Sequence, residues 1–242
     1  AVVRASVSRT MTRPDPNQLL PGASFTAPSA DIGNVGNNAL NPYISDNIDL
    51  GFEYYTGGEG VIAVAAFRKS ITGFTVNGIN TVPFSFLAPF GITFSSLTQA
   101  QQEALIARGT PAGLAPEQVP IQIQQQVNAD GKLKVNGLEF QLTQPLDFLT
   151  RYIGVTGFGF QGNLTLIDQK GEGAGAPAIA LGVAPTTYTA TGYYEGNGIS
   201  ARLTYTYNEG SQNSGLNQNG IPNAAIFGRD YGQLDFSGNV DL

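Results

Sequence analysis

Asp49 and Glu53 lie on one side of the alternating segment NIDLGFEYY. Paired carboxylates are the groups that hydrolyse glycosidic bonds, one protonating the leaving oxygen while the other attacks or activates water. Little else in the chain supports such a reaction. Histidine and cysteine are both absent, which removes the usual general base, the commonest metal ligand and any thiolate. The glycine-rich stretch Gly171–Gly175 (GEGAG) has neither the strand-then-helix setting nor the lysine–serine pair of a phosphate loop. Asp230, Asp235 and Asp241 do not have calcium-loop spacing. Asn163-Leu164-Thr165 fits a glycosylation pattern but falls inside a strand pattern. Regularly spaced polar positions on one face of a strand explain the carboxylates more economically. The chain is not read as an enzyme, and no catalytic residue, metal or cofactor is assigned.

Composition narrows the class of protein. Charged residues make up 12% of the 242, about half the usual share of roughly 25%. Glycine is abundant at 31 residues, and only 41% of the chain is hydrophobic. The longest apolar run, Val61–Phe67 (VIAVAAF), falls far short of the ~18 residues of a spanning helix. Helical membrane proteins are thereby excluded. A net charge of −6 without a basic cluster excludes nucleic acid as a partner. Ala1 opens directly into a strand pattern with no signal-peptide character. The expectation is that a targeting segment has been removed or that the chain starts inside a larger protein.

The elements that position these residues are strands. Apolar and polar residues alternate over Val2–Arg9, Asn47–Tyr55, Val61–Ile71, Lys132–Thr143, Ile153–Asp168, Thr186–Tyr194, Ile199–Asn208 and Gly232–Leu242. A period of two places successive side chains on opposite faces of a strand. In SARLTYTY, Ala201, Leu203, Tyr205 and Tyr207 face one way and Ser200, Arg202, Thr204 and Thr206 the other. Arg4, Asp49, Glu53, Glu139, Arg202 and Asp235 fall on the polar faces of their strands. An arginine facing mid-bilayer lipid costs about 2–4 kcal/mol, so these six are expected to face a wet lumen. The third strand is the exception, with Ile62 and Val64 apolar on its nominally polar side.

The connections alternate too. Thr56–Gly60, a stretch around Pro145, and Glu195–Gly198 are short, whereas the others run to about 35, 60, 16 and 23 residues. Tight turns at one end and long loops at the other fit a barrel crossing an outer membrane, the long loops outermost. Tyr54, Tyr55, Tyr193 and Tyr194 precede short turns, Tyr152 opens the fifth strand, and Tyr205 and Tyr207 lie toward the long-loop end, as interface girdles would. In the longest loop a helix is predicted over Thr98–Arg108, with Thr98 as cap, Gln101 completing a capping box and Gly109 as the stop. Its phenylalanines, among them Phe84, Phe86, Phe90 and Phe94, either contact a ligand or serve as structural cover, the second being favoured. A soluble β-sandwich that binds sugars or adheres, and a passive small pore, stay open on this pattern alone.

Several segments together resemble the barrel of TonB-dependent outer-membrane receptors. They are RASVSRTMTRPDPNQLLPG (Arg4–Gly22), NPYISDNIDLGFEYYTGGEGVIAVAAFRKSITGF (Asn41–Phe74), VNGLEFQLTQPLDFL (Val135–Leu149), GFGFQGNLTLID and ISARLTYTYNEG. The likeness is strongest to large receptors of Caulobacter- and Xanthomonas-like bacteria. It implies an all-β, antiparallel transmembrane β-barrel, of which the roughly eight strands here form one arc of a plugged barrel of about 22 strands. It further implies active uptake of a scarce nutrient, of carbohydrate or siderophore class, in the Gram-negative outer membrane. The implied partners are outer-membrane lipid, a small-molecule or oligosaccharide ligand, and the TonB complex. Family members reach TonB through a plug domain and TonB box, and neither is recognisable in this sequence.

Overall fold

A computed structural model describes residues 1–57, 59–214 and 224–241. In chain order the strands are β1 (Val2–Thr12), β2 (Ala23–Ser24), β3 (Ile32–Val35), β4 (Tyr43–Gly57), β5 (Gly60–Thr72), β6 (Thr75–Pro83), β7 (Pro120–Asn128), β8 (Lys132–Pro145), β9 (Phe158–Glu172), β10 (Thr186–Gly196), β11 (Ile199–Asn208) and β12 (Tyr231–Val240). Three helices accompany them: α1 (Pro16–Leu19), α2 (Gln99–Gly109) and α3 (Thr150–Ile153). Eight strands form one antiparallel sheet, ordered β1-β4-β5-β8-β9-β10-β11-β12, in which each wall strand pairs with the next wall strand along the chain. The sheet is an open arc, the form of a barrel segment.

All eight strands expected from the alternation are in this sheet, with most ends extended by a few residues. The fifth is corrected at its start. Thr150–Ile153 form a helical turn that ends on Gly154 at φ 75°, and the strand begins only at Phe158. Tyr152 therefore lies in the connection, exposed, and does not open a strand. The last expected residue, Leu242, lies outside the described residues, as does Gly58 of the first short turn.

Register settles the facing of the third expected strand, β5. Tyr54 pairs with Ile62 and Phe52 with Val64, which puts Ile62 and Val64 on the apolar face. The polar face of β5 carries Ala63, Ala65, Phe67 and Lys69, paired with Glu53, Gly51, Asp49 and Asn47. The apparent anomaly arose from assigning faces within one strand; pairing with its neighbours reverses the assignment. Phe67 lies across Gly137, whose missing side chain makes room: a Cβ there would sit 2.2 Å from the ring.

A second sheet, ordered β2-β3-β7-β6, is built entirely from the two longest connections. The β6–β7 ribbon continues β5 and β8 beyond the wall, and β3 joins it in parallel. One face of this small sheet buries Val35, Ile121 and Ile123 against Phe25, Phe84, Leu87, Leu105 and Val119. Each such side chain contributes about 1.5–3 kcal/mol on burial. The core of the described residues thus sits mainly in the loops, while the wall leaves large apolar side chains uncovered: Val7 is 82% exposed and Phe236 74%. A single sheet with one bare apolar face is not a sandwich.

Helix α2 forms where the sequence places it. Thr98 caps it and Gln101 closes the capping box. Gly109 is not the stop: it remains helical at φ −76°, and a 3-10 turn carries the chain on to Gly113 at φ 64°. Glycine is needed at 109 for a different reason, since a Cβ there would lie 2.8 Å from Val119 and 2.9 Å from the Leu114 carbonyl.

Candidate functional site

The wall has two chemically distinct faces. Directly paired residues share a face in an antiparallel sheet, so the registers sort every strand. Arg4, Asp49, Glu53, Glu139, Arg202 and Asp235 all fall on one face, with Ser6, Gln141, Asn163, Thr165, Thr189, Thr191 and Thr206. Neighbouring strands are tied there by side chains. Arg4 donates to Glu53, which also accepts from the Tyr55 hydroxyl at 2.7 Å. Ser6 donates to Asp49 at 3.1 Å, Arg202 to Glu195 at 2.6 Å, and the Thr191 and Thr204 hydroxyls lie 2.9 Å apart. These groups are exposed or half-buried, so each pair adds little to stability. Their main effect is a continuous wettable surface.

The opposite face is uniformly apolar over its middle rows. Val3, Leu50, Phe52, Val64, Leu138, Phe140, Leu164, Ala190, Leu203, Leu234 and Phe236 lie there. Among the described residues, no Asp, Glu, Lys or Arg occupies this face apart from rows near the long loops on β1, β4, β5, β8 and β9, two of which bound the apolar band. The first row runs Arg68–Asn136–Asp168; the second runs Arg9–Asp46–Ser70–Lys134–Lys170. Within the second, Arg9 grips Asp46 through two hydrogen bonds of 2.5 and 3.0 Å. Aromatic contacts mark both ends of the band: Phe158 with Tyr194 at 4.9 Å near the short turns, Tyr188 with Tyr207 at 5.0 Å near the long loops. Tyr55 and Tyr193 fall on the polar face instead. The bounding rows escaped the sequence reading, although their signal was present: the alternation runs on past each apolar stretch while the apolar side turns charged.

At the long-loop end the first two long connections are locked together. Gln101 on α2, itself buried, donates to the carbonyls of Phe25 (2.8 Å) and Ala27 (3.1 Å). Arg108, two turns further along the same face of α2, donates to those of Ala30 (2.9 Å) and Ser29 (2.5 Å). Asn128 binds Asn41 through both amide atoms, at 2.8 and 3.1 Å. The Ser29 hydroxyl, 2.6 Å from Asp31, holds that carboxyl below its ordinary range, with Arg108 adding to the effect. The third long connection folds back over the polar face, where the Ala180 N–H donates to Gln169 at 2.8 Å.

The four phenylalanines singled out in the sequence differ in exposure. Phe84 is 1% exposed and belongs to the loop core. Phe90 and Phe94 pack partly buried against the same core. Phe86 alone stays open, 42% exposed beside Phe90. The other face of the small sheet, away from this core, borders a groove of about 550 Å³ lined by asparagine and glutamine side chains. Among the described residues no group of carboxylates could hold a metal ion.

A single-sheet wall, apolar on one face and wettable on the other, with tight turns at one end and a folded loop cluster at the other, defines part of an outer-membrane β-barrel. Its family is equally clear: the chain matches the model described as "TonB dependent receptor-like, beta-barrel" over residues 1–242, and it belongs to that family of Gram-negative outer-membrane receptors. Among solved structures it is similar to a variant of the ferric enterobactin receptor PfeA of Pseudomonas aeruginosa in complex with enterobactin, at 19% identity and TM-score 0.66, covering 99% of this chain and 31% of that one. The siderophore receptor PirA of Acinetobacter baumannii is similar at 13% identity and TM-score 0.61, over 97% of this chain and 32% of that one. At such identities the likeness is one of fold. The chain spans about a third of the length of these structures. A search of curated protein sequences finds no match.

Proposed function

We propose that this chain forms wall and outer mouth of a TonB-dependent receptor that imports a scarce nutrient, of carbohydrate or siderophore class, across the outer membrane. The apolar face meets lipid. Arg4, Asp49, Glu53, Glu139, Arg202 and Asp235 line the lumen, and the long connections face outward, where ligand arrives. A plug domain, coupled to TonB through its TonB box, fills the lumen and moves when energy is delivered. One observation carries the reading: among the described residues, the apolar faces of eight paired strands hold no Asp, Glu, Lys or Arg except in rows beside the long loops, on β1, β4, β5, β8 and β9. That is the profile of a bilayer-spanning band, because a lipid-facing charge is tolerated only toward an interface.

The test is uptake by cells carrying the full-length receptor, with and without TonB. Loss of TonB is expected to abolish growth on the limiting nutrient as completely as loss of the receptor. Equal uptake in both strains would instead make the protein a passive pore.

A further inference from the structure

The groove on the small loop sheet has the chemistry of a binding site for one kind of ligand. Across the face opposite the loop core, Ser24 pairs with Asn34 and Asn34 with Gln124. Gln126 and Asn77 form the neighbouring row and bond to each other through their amides. Strand spacing sets the groups of a row about 4.8 Å apart. Ser24, Asn34 and Gln124 make no side-chain hydrogen bond among the described residues, although each lines the groove. An amide offers donors and an acceptor at once, so the row presents alternating donors and acceptors on a rigid backbone.

Charge excludes the alternatives. Among the described residues, no Asp, Glu, Lys or Arg lines the groove. The four long connections together carry three arginines (Arg13, Arg108 and Arg229) against seven carboxylates. Of those arginines, Arg108 is already engaged by the Ser29 and Ala30 carbonyls. An anionic ligand, such as a catecholate chelate of iron or a phosphorylated sugar, would meet an excess of carboxylates on these connections and no cation among the described residues that line the groove. A peptide would meet a groove floored by side chains, whereas the free backbone edges of the small sheet lie at its margins, on β2 and β6. A neutral polyhydroxylated molecule loses nothing to the field and satisfies the amides on both counts, since each hydroxyl both donates and accepts. The side chain of Leu20 at the groove's edge adds an apolar contact for the C–H face of a sugar ring.

The geometry points to the amide row Ser24–Asn34–Gln124 as the outer capture site for a neutral oligosaccharide. This rests on the receptor reading above and names its substrate class. The test uses the full-length receptor in detergent. It is titrated with maltoheptaose, cellopentaose, xylopentaose and chitopentaose, and separately with ferric enterobactin as the anionic comparator. At least one neutral series is expected to bind, with an affinity unchanged between 0.1 and 0.5 M salt. Asn34→Leu combined with Gln124→Leu should weaken it by about tenfold or more, since each lost amide removes a hydrogen bond. If that variant misfolds, the isosteric pair Asn34→Asp and Gln124→Glu removes the donors at the same positions and should weaken it similarly. No binding by any of the four sugars, binding that ignores both pairs of substitutions, or salt-sensitive binding of ferric enterobactin alone would overturn the assignment. Failure here is separable from failure of the receptor reading. TonB-dependent uptake of an anionic chelate would leave transport standing and remove the groove. Sugar binding in the groove with TonB-independent uptake would do the reverse.

Discussion

At the residue scale, side-chain type matters less than which face a residue joins. Leu203 and Thr204 are adjacent, yet Leu203 shares a row with Phe236 and Thr204 with Asp235. Leu203→Arg is expected to cost about 2–4 kcal/mol and to block assembly, whereas Thr204→Arg should change stability by no more than about 0.5 kcal/mol. Folding yields in liposomes, read from heat-modifiable gel migration, check this. The loop clamp is the second residue-level feature. Arg108→Ala removes two charge-assisted bonds to the first long connection, worth about 1–2 kcal/mol at a partly exposed site. Limited proteolysis should then cut residues 13–42 faster while the wall stays intact. The wall's faces were legible from alternation residue by residue. The fate of Phe84 was not, because burial against Leu87 and Leu105 depends on two distant connections meeting.

At the element scale, alternation is a sufficient signal for long strands and too weak for short ones. The eight wall strands each run to at least ten residues, about what a tilted strand needs to cross a bilayer. Strands β2 and β3 have two and four residues and form by adding to β7, β3 pairing with β7 and β2 with β3. Strand β7 itself carried a readable pattern, Ile121 and Ile123 inward against Gln122 and Gln124, hidden inside a connection otherwise rich in 3-10 turns. Helix α2 was legible through its capping box, but its end was not, because Gly109 answers to packing against Val119 and not to helix termination. Between wall strands, the contact of Phe67 over Gly137 couples β5 to β8. Gly137→Ala should destabilise by about 1–3 kcal/mol and lose most of that cost in a Phe67→Ala background, giving a coupling above about 0.5 kcal/mol in a double-mutant cycle. Additive effects in denaturant titrations would show the ring has room to turn away.

At the scale of the molecule, the wall and the loop cluster differ in where their apolar groups lie. The loop cluster buries its own apolar core. Among the described residues the wall buries no comparable core; on the proposed reading lipid covers its apolar face, so the two should respond oppositely when detergent is withdrawn. Sequence alone could not choose between a closed small barrel and one arc of a large one, since strand pattern is the same in both. The family membership and the open sheet settle that point in favour of the arc. The central claim is that alternate residues of each wall strand face lipid and lumen, and the chain's lack of cysteine makes it directly measurable. Single cysteines at Leu50, Leu203 and Phe236, and at Asp49, Thr204 and Asp235, are labelled with a fluorophore in the full-length receptor reconstituted in liposomes. Quenching by a bromolipid should be strong at the first three positions and weak at the last three, with the order reversed for aqueous iodide. Equal quenching at neighbouring positions, or lipid contact at Asp49 and Thr204, would contradict the account.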